Sequence, residues 1–535
     1  MPAEIVDILV VGSGPGGAAV TKRLTDLGAK VMCLEQGDWV KPDEYPSAKP
    51  DWEIQHHRGR FHFSPNVRRR PEDYPIVATG KNPPNILMFN AVGGSTIHWT
   101  GHFPRFHPSD FRVRTLDGVG DDWPIRYEDL ESYYDMNDAE MGVSGLAGDP
   151  ANPPRKERPT PPLPLDFLGE TAGRGFDKLG WHWWVSDNAI ISRDYDGRPA
   201  CQLHGKCMYG CPIGSKAQTD VTYWPKALKK GAALRTWARV REITVDEKGR
   251  ASGALYYDRE GRLHEQPARV VVLCCNGVGT PRLLLNSKSK LFPQGLANST
   301  GQVGVNFMIH PFRFVEGIFE QRTNSHLAPF GHAATSQEFY ETDLNRGFVR
   351  GYTTFIERSF GPLHHAWGGF VGKPVPWGAD HHRVFRKRFP HIIRLTPMCE
   401  DLPEEANRVE LDPEVKDSSG IPAPRVVYSY SENSLKMLEH GYQTSKAVLE
   451  AAGAIEILDS GIIAPAFHLL GTARMGTDPH RSVINASNQA HDVKNLYIAD
   501  GSVFTTAAAV NPTSTIGALA LRCADMIWER RREWV

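Results

Sequence analysis

The sequence predicts an α/β protein in which one parallel sheet is assembled from segments that lie far apart in the chain. Three apolar runs, at 5–11, 268–275 and 495–501, have the composition of buried strands, and each meets a turn that contains glycine. The first two turns lead into helical patterns, which is the order of elements in a parallel sheet. Because 535 residues exceed the size at which one core stops growing, we expect the intervening segments to form a second domain.

The first strand opens a motif typical of dinucleotide-binding proteins. It runs directly into GSGPGG at 12–17, and a predicted helix follows. In this pattern Gly12 allows the turn, Gly14 lets a pyrophosphate approach the backbone, and Gly17 lets the helix pack on the sheet. The N–H groups at the helix N-terminus favour phosphate there. A second strand ends at Glu35, whose carboxylate can accept both hydroxyls of an adenosine ribose, so the motif predicts binding of an ADP moiety.

Composition and charge exclude several classes of protein. The formal net charge of −1 provides no broad basic field, so we expect no nucleic-acid partner. We expect no transmembrane segment, because no stretch approaches the roughly eighteen consecutive apolar residues that a spanning helix needs. The N-terminus enters the first strand without a charged and apolar leader, so the sequence predicts no export signal of its own.

Three further segments are assigned from their residue patterns. The run at 123–134 places apolar and aromatic residues at helical spacing and predicts an amphipathic helix. The proline-rich run at 150–164 predicts an extended strap over the surface, because repeated proline excludes helix. The run at 434–452 predicts a helix with one side facing the core.

The C-terminal part of the chain carries two candidate catalytic residues, His468 and Asn511. A helix is predicted to begin with Asn511 as its N-cap and Pro512 as its first residue. The positive end of its dipole stabilises negative charge of the kind that a reduced flavin carries. A histidine and an asparagine that converge there can oxidise an alcohol, with the histidine as general base and the asparagine holding the oxygen. The alternative for His468, one of 21 histidines, is a position without a catalytic role.

A short loop contains Cys201, Cys207 and Cys211, followed directly by Pro212. Three thiolates suffice to hold a three-iron cluster, and a terminal Cys-Pro pair is typical of bacterial cluster-binding runs. Since His204 lies in the same loop, a zinc site with three cysteines and one histidine is a second interpretation. The third interpretation is that the three cysteines pack without a metal.

Taken together, the motifs resemble those of the glucose-methanol-choline (GMC) flavoprotein oxidoreductases. The resemblance extends over nearly the whole chain, and the motifs occur in the order in which the family has them. It implies FAD rather than NAD as the cofactor. Beyond the GSGPGG turn, it rests on VGGSTIHW at 92–99, WPIRYEDLESYY at 123–134, CNGVGTPRLLL at 275–285, HLLGTARMG at 468–476 and NPTST at 511–515.

The resemblance implies a Rossmann-like FAD-binding domain built from discontinuous segments, and a substrate domain with a mainly antiparallel sheet and helices. It also makes His468 and Asn511 the catalytic pair of the family. The FAD-binding domain is expected at 1–105, 200–305 and 461–535, and the substrate domain at 106–199 and 306–460. The residues expected to contact FAD are Gly12, Ser13, Gly14, Gly17, Glu35, Gly93, Gly94, Ser95, Thr96, His98, Asp500, Gly501, Asn511, Pro512 and Thr513.

His98 raises the question of a covalent flavin. Some members similar to pyranose oxidase bond a histidine at this position to the flavin, whereas other relatives with a histidine there bind FAD noncovalently. We expect noncovalent FAD, with His98 packed near its dimethylbenzene ring.

The resemblance implies an FAD-dependent dehydrogenase that oxidises a hydroxyl of a sugar, glycoside or polyol, with His468 as the base and flavin N5 as hydride acceptor. The cysteine spacing is similar to that of the catalytic subunits of bacterial FAD-dependent sugar dehydrogenases. In those subunits a [3Fe-4S] cluster passes electrons to a cytochrome c partner. The expected partners are therefore an alcohol or sugar substrate and, if Cys201, Cys207 and Cys211 hold a cluster, a small subunit and cytochrome c.

The sequence leaves three alternatives to this function open. The first is an oxidase that passes electrons to oxygen and has no cluster, similar to pyranose oxidase. The second is a lyase that keeps FAD only for its structure, and the third is an electron-transfer subunit without its own substrate. For localisation, we expect the cytoplasm, or the periplasm if a partner subunit exports the chain.

Overall fold

A computed structural model describes residues 4–57, 73–327 and 333–534 of the chain. The strands of the described residues are β1 (Val6–Val11), β2 (Val31–Leu34), β3 (Val77–Thr79), β4 (Asn85–Ile86), β5 (Trp184–Val185), β6 (Ala233–Arg235), β7 (Arg239–Val245), β8 (Ala251–Tyr257), β9 (Leu263–Leu273), β10 (Val315–Ile318), β11 (Ala334–Ser336), β12 (Tyr352–Glu357), β13 (Ile392–Cys399), β14 (Arg408–Lys416), β15 (Pro422–Val427), β16 (Glu456–Asp459), β17 (Pro465–Ala466) and β18 (Leu496–Ile498). The α-helices are α1 (Pro15–Asp26), α2 (Trp52–His57), α3 (Val113–Asp117), α4 (Glu128–Met141), α5 (Asp166–Leu179), α6 (Tyr223–Lys229), α7 (Asn276–Asn286), α8 (Pro362–Ala366), α9 (His381–Arg388), α10 (Glu432–Ala452) and α11 (Thr513–Glu529).

The largest sheet brings together strands from both ends and the middle of the chain. Its order is β6-β2-β1-β9-β8-β7, and β18 also pairs with β9. The strands β6, β2, β1, β9 and β18 are parallel to one another, with Ile8 opposite Val270 and Leu496 opposite Val271. The strands β8 and β7 extend this sheet in antiparallel pairing. This confirms the predicted parallel sheet of discontinuous segments. The carboxyl ends of β1, β9 and β18 therefore meet at one edge, where parallel sheets bind their ligands.

The second large sheet is antiparallel, in the order β16-β10-β13-β12-β11-β5. Helices α5 and α10 pack on it through apolar side chains such as Phe176, Ile393 and Leu449, which are all buried. The fold class implied by the resemblance, a Rossmann-like domain and an antiparallel sheet with helices, is thereby confirmed. The division of the chain at 105, 199, 305 and 460 stays a prediction.

Several element boundaries differ from the predicted ones. The most important difference concerns α11, which begins at Thr513 with Pro512 in the N-cap position. Asn511 is therefore not the cap that the sequence predicts. Its side chain bonds instead with two histidines of other segments, and proline disfavours helical geometry in the residue before it. The predicted helices at 123–134 and 434–452 are found as α4, which begins later at Glu128, and α10.

Within the described parts of the chain, no helix is both long enough and apolar enough to cross a membrane.

Candidate active site

The carboxyl edge of the parallel sheet borders a cavity of about 1320 Å³, measured to its open mouth. It extends from the glycine-rich turn after β1 to the start of α11, so it spans the predicted adenine and flavin ends of one cofactor. The predicted site residues among those that line it are Gly12, Ser13, Gly14, Glu35, Gly94, Ser95, His468, Asp500, Gly501, Pro512 and Thr513.

The glycine-rich turn has the geometry that its pattern predicts. Gly12 has a φ of +96°, and a Cβ there would lie 2.4 Å from the carbonyl oxygen of Cys274. A Cβ at Gly17 would lie 1.9 Å from the Gly12 carbonyl oxygen, so helix and turn are in direct backbone contact. A Cβ at Gly14 would meet no protein atom within 4 Å and would project into space on the cavity side. The turn thus presents a bare backbone cradle, which fits the pyrophosphate of FAD.

Glu35 lies at the end of β2 and already has protein partners. Its Oε2 accepts the N–H of Ser13 at 2.9 Å and the Ser13 hydroxyl at 2.7 Å, and its Oε1 accepts the N–H of Gly37 at 2.8 Å. The carboxylate thereby ties the glycine-rich turn to the second strand. Its role toward the ribose hydroxyls stays a prediction.

Part of the segment from Gly93 to His98 lines the cavity, and part of it lies behind the cavity wall. Gly94 and Ser95 line the cavity, whereas Thr96 is buried behind it and bonds to the Gly93 carbonyl at 2.6 Å. The ring of His98 packs edge-on against Phe89, at 4.4 Å between centroids, and Phe89 in turn lines the cavity. His98 Nδ1 donates to the carbonyl oxygen of Met208 at 2.7 Å. This histidine therefore lies behind the cavity wall.

Asp500 joins β18 to the start of α7. Its carboxylate accepts the N–H of Asn276 at 3.0 Å and the hydroxyl of Thr280 at 2.6 Å, and also the N–H of Ser502 at 2.8 Å. Burial raises its pKa, against the effect of these hydrogen bonds. The aspartate thus fixes the backbone beside Gly501, where the resemblance places the ribityl and pyrophosphate groups.

The structure brings together His468 and Asn511, which are 43 residues apart. The amide Nδ2 of Asn511 lies 3.4 Å from Nε2 of His468. Two further histidines complete the group. His102 Nδ1 donates to Oδ1 of Asn511 at 2.7 Å, and His310 Nδ1 lies 2.9 Å from Nδ1 of His468. Sequence reasoning missed both, because neither belongs to a local motif and only long-range pairing places them here.

The cysteine loop lies beside the segment that carries His98. Its three cysteines line one smaller cavity, of about 400 Å³ when it is likewise measured to its open mouth. All eight cysteines, which belong to the described residues, are thiols rather than disulfides. In the same described residues no three His, Cys, Asp or Glu side chains converge closely enough to hold a metal ion. The loop therefore brings the three predicted thiols to one cavity without arranging them as a metal-ligand set.

This arrangement can perform proton abstraction next to a bound cofactor. A histidine, an amide and a helix N-terminus meet at one end of a cavity whose other end is a phosphate cradle. Ring contacts of Phe467 and Phe312 with His468, at 5.3 and 6.1 Å between centroids, supply apolar walls. The buried ring of Phe312 keeps water from its side of His468, whereas Phe467 is exposed.

Comparisons with known proteins agree with this geometry. Residues 167–312 and 403–520 match two family models, each described as GMC oxidoreductase. The chain is 47% identical to 2-methyl-1,2-propanediol dehydrogenase of Mycolicibacterium austroafricanum, over 99% of this chain and 96% of the relative. It is 30% identical to the fructose dehydrogenase large subunit of Gluconobacter japonicus, over 97% of both chains.

Among solved structures, pyridoxine 4-oxidase from Mesorbium loti matches with a TM-score of 0.69 and 16% identity, over 98% of this chain and 99% of the other. Formate oxidase matches with a TM-score of 0.68 and 14% identity, over the full length of both chains. At these identities the likeness shows the fold alone, whereas the relatives above show descent along the whole chain. The chain belongs to the GMC oxidoreductase family.

Proposed function

We propose that this protein is an FAD-dependent dehydrogenase that oxidises a hydroxyl group of a small diol, polyol or sugar, with His468 as the base. The observation that carries the proposal is the contact between Asn511 and His468, which lines the cavity beside the start of α11. As a GMC oxidoreductase the chain is a flavoprotein that acts on alcohol or sugar-like substrates. The substrate class follows the two relatives, which are named for a diol and for fructose.

The proposed reaction removes a proton and a hydride from one carbinol group. Nε2 of His468 accepts the hydroxyl proton, while the Nδ2 amide of Asn511 donates a hydrogen bond to the substrate oxygen as it gains charge. Bound FAD supplies the hydride acceptor, so the alcohol becomes a carbonyl compound and the flavin is reduced by two electrons. The N-terminus of α11, which begins at Thr513, stabilises the negative charge that accompanies this reduction.

The decisive experiment follows flavin reduction by substrate without oxygen. The His468→Ala protein should retain FAD but lose reduction by substrate, measured as bleaching of the flavin absorbance in a stopped-flow instrument. His480→Ala is the matched control, because His480 is exposed on the same segment and should leave reduction unchanged. A panel of 1,2-diols, polyols, sugars and aryl alcohols identifies the substrate. Unchanged reduction in His468→Ala would contradict the assignment of the base.

We propose further that electrons leave the flavin on the side of the cysteine loop. His98 bonds to Met208 of this loop, and the ammonium of Lys216 donates to the carbonyls of Ile97 at 2.7 Å and Cys207 at 2.6 Å. Two sets of hydrogen bonds thus join the flavin-side segment to the loop. If a [3Fe-4S] cluster is the first acceptor, Cys201, Cys207 and Cys211 would hold it; otherwise an external acceptor takes the electrons directly.

Iron and acid-labile sulfide in anaerobically purified protein test the cluster. About three irons per chain would support it, and the absence of both would exclude it without affecting the role of His468. Oxygen uptake compared with dye reduction separates the dehydrogenase from an oxidase. Flavin that binds but never bleaches with any substrate would favour the lyase.

Partners and compartment are part of the same proposal. The relative from Gluconobacter japonicus is named as a large subunit, which supports a partner subunit here as well. A cytochrome c acceptor belongs to the proposal only if the cysteine loop holds a cluster. We propose the cytoplasm for the chain alone and the periplasm when such a partner exports it. Cell fractionation with and without the partner gene tests both statements.

A further inference from the structure

His310 lies directly beside the proposed base because two distant segments form a short antiparallel pair. Met308 and Leu470 exchange both backbone hydrogen bonds, each at 3.1 Å. In an antiparallel pair this register places residue 310 opposite residue 468, because one lies two positions after Met308 and the other two positions before Leu470. Side chains two positions apart on a strand share a face, so both histidines lie on the same side. The two imidazoles meet edge to face, with 4.8 Å between ring centroids and 2.9 Å between their Nδ1 atoms.

The hydrogen bonds of His310 determine which of its nitrogens carries the proton. Its Nε2 lies 2.8 Å from the carbonyl oxygen of Ala508, which can only accept, so Nε2 must be the donor. Neutral imidazole has one donor and one acceptor, and Nδ1 is therefore an acceptor. The proton between the two Nδ1 atoms then belongs to His468, whose Nε2 keeps its lone pair.

The surroundings of His310 keep it neutral. It is fully buried, and burial lowers its pKa to about 4, against the opposing effect of the Ala507 and Ala508 carbonyls. Ala508 itself adopts a left-handed φ of +56°.

The hydrogen bonds on the Asn511 side of His468 indicate the same tautomer. His102 donates through Nδ1 to Oδ1 of Asn511, at 2.7 Å, so the Nδ2 group of this amide faces Nε2 of His468. Without substrate the amide N–H points at the lone pair of His468 Nε2, and the substrate hydroxyl has to take its place for proton transfer. Two independent sets of contacts therefore agree on one tautomer.

We propose that His310 is a positioning residue that holds His468 in the Nδ1–H tautomer and so directs the Nε2 lone pair to the substrate hydroxyl. After proton abstraction, the same Nδ1–H···Nδ1 bond stabilises the imidazolium, because the neutral ring of His310 remains an acceptor. This inference rests on the proposed role of His468 as the base.

The tautomer can be measured on the unmodified FAD-bound protein. In deuterated protein labelled with ¹⁵N-histidine, the His468 signals are those that disappear in His468→Ala, and the ¹H–¹⁵N correlations report which ring nitrogen is protonated. We expect a protonated Nδ1 and an unprotonated Nε2 at neutral pH. The opposite tautomer would overturn the proposal, whatever the activity of the enzyme.

Substitutions at 310 separate the hydrogen bond from simple packing. His310→Phe keeps a ring of similar size but has no acceptor, whereas His310→Asn keeps an oxygen near the position of Nδ1. We expect the rate constant of flavin reduction to fall about 100-fold in His310→Phe and less than about 10-fold in His310→Asn, with little change in KM. Phe314→Leu, which alters the ring that packs on Phe312, changes packing near the pair and should reduce the flavin at the rate of the unmodified protein.

Equal losses in the Phe and Asn variants, or a full rate in a folded His310→Phe protein, would overturn the proposal. If one variant fails to fold, the tautomer measurement still decides. The proposed function fails by a different result, namely normal flavin reduction in His468→Ala. The two hypotheses can therefore be rejected separately.

Discussion

Alanine at Gly14 should separate cofactor binding from folding. Gly14 has φ and ψ of −67° and −167°, which any residue adopts, and a Cβ there would touch no protein atom within 4 Å. The Gly14→Ala protein without FAD should therefore be as stable as the unmodified protein, or more stable by about 0.4–1 kcal/mol through the unfolded state. The added methyl group nevertheless occupies the cradle in which we place the pyrophosphate.

The expected loss of affinity follows from the hydrogen bonds that the methyl group displaces. A bond from a backbone N–H to a charged phosphate is worth about 1.5–3 kcal/mol, so losing one weakens binding by roughly 10- to 150-fold. Fluorescence titration of the FAD-free protein measures the Kd, and thermal unfolding of the same sample measures stability. Gly17→Ala is the contrasting variant, because its Cβ would lie 1.9 Å from the Gly12 carbonyl oxygen and should destabilise the protein even without FAD. Unchanged FAD affinity in Gly14→Ala would refute the assignment of the cradle.

Two further predictions concern the amide of Asn511 and the buried carboxyl of Asp401. Asn511→Ala removes the donor to the substrate oxygen and should lower the rate constant of flavin reduction by about 100-fold with FAD still bound; a rate within a factor of two would contradict this role. Burial raises the pKa of Asp401 from 3.8 to about 7, so the folded state binds this proton more tightly than the unfolded state does. The stability that this group contributes is therefore present below about pH 4 and lost as the pH rises toward 7, and Asp401→Asn should show a smaller fall in Tm between about pH 5 and pH 8. An identical fall in both proteins would show that Asp401 does not titrate in this range.

The sequence predicted those parts of the fold whose signals are local. The apolar runs of β1, β9 and β18 indicate strands that are buried on both faces, and the glycines at 12–17 indicate close backbone contacts. The antiparallel sheet was anticipated only through resemblance, because its short strands pair with partners as far away as Trp184 and Thr335. The start of α11 was wrong by one residue, because the side chain of Asn511 is engaged by His102 and His468.

In the candidate site, too, the residues that long-range pairing brings together could not be predicted from the sequence. His468 and Asn511 belong to motifs and could be proposed from the sequence. His310 could not, since its place depends on the pairing of Met308 with Leu470, and a register between such distant segments leaves no trace in either one. His102 likewise reaches Asn511 across 409 residues.

The second sheet has a part in the chemistry although it does not line the phosphate cradle. Glu400 and Asp401, directly after β13, lie beside the segments that surround His310. Asp401 accepts the N–H of Ile309 at 3.3 Å, next to His310, and Glu400 faces the amide of Ala508, whose carbonyl bonds to His310. Arg350 donates to Glu400 at 2.7 Å, and both side chains are buried, so Glu400 belongs to a buried ion pair. The tautomer of the base is thus determined by groups that touch neither substrate nor flavin, and substitutions at the end of β13 should change the rate of flavin reduction more than substrate binding.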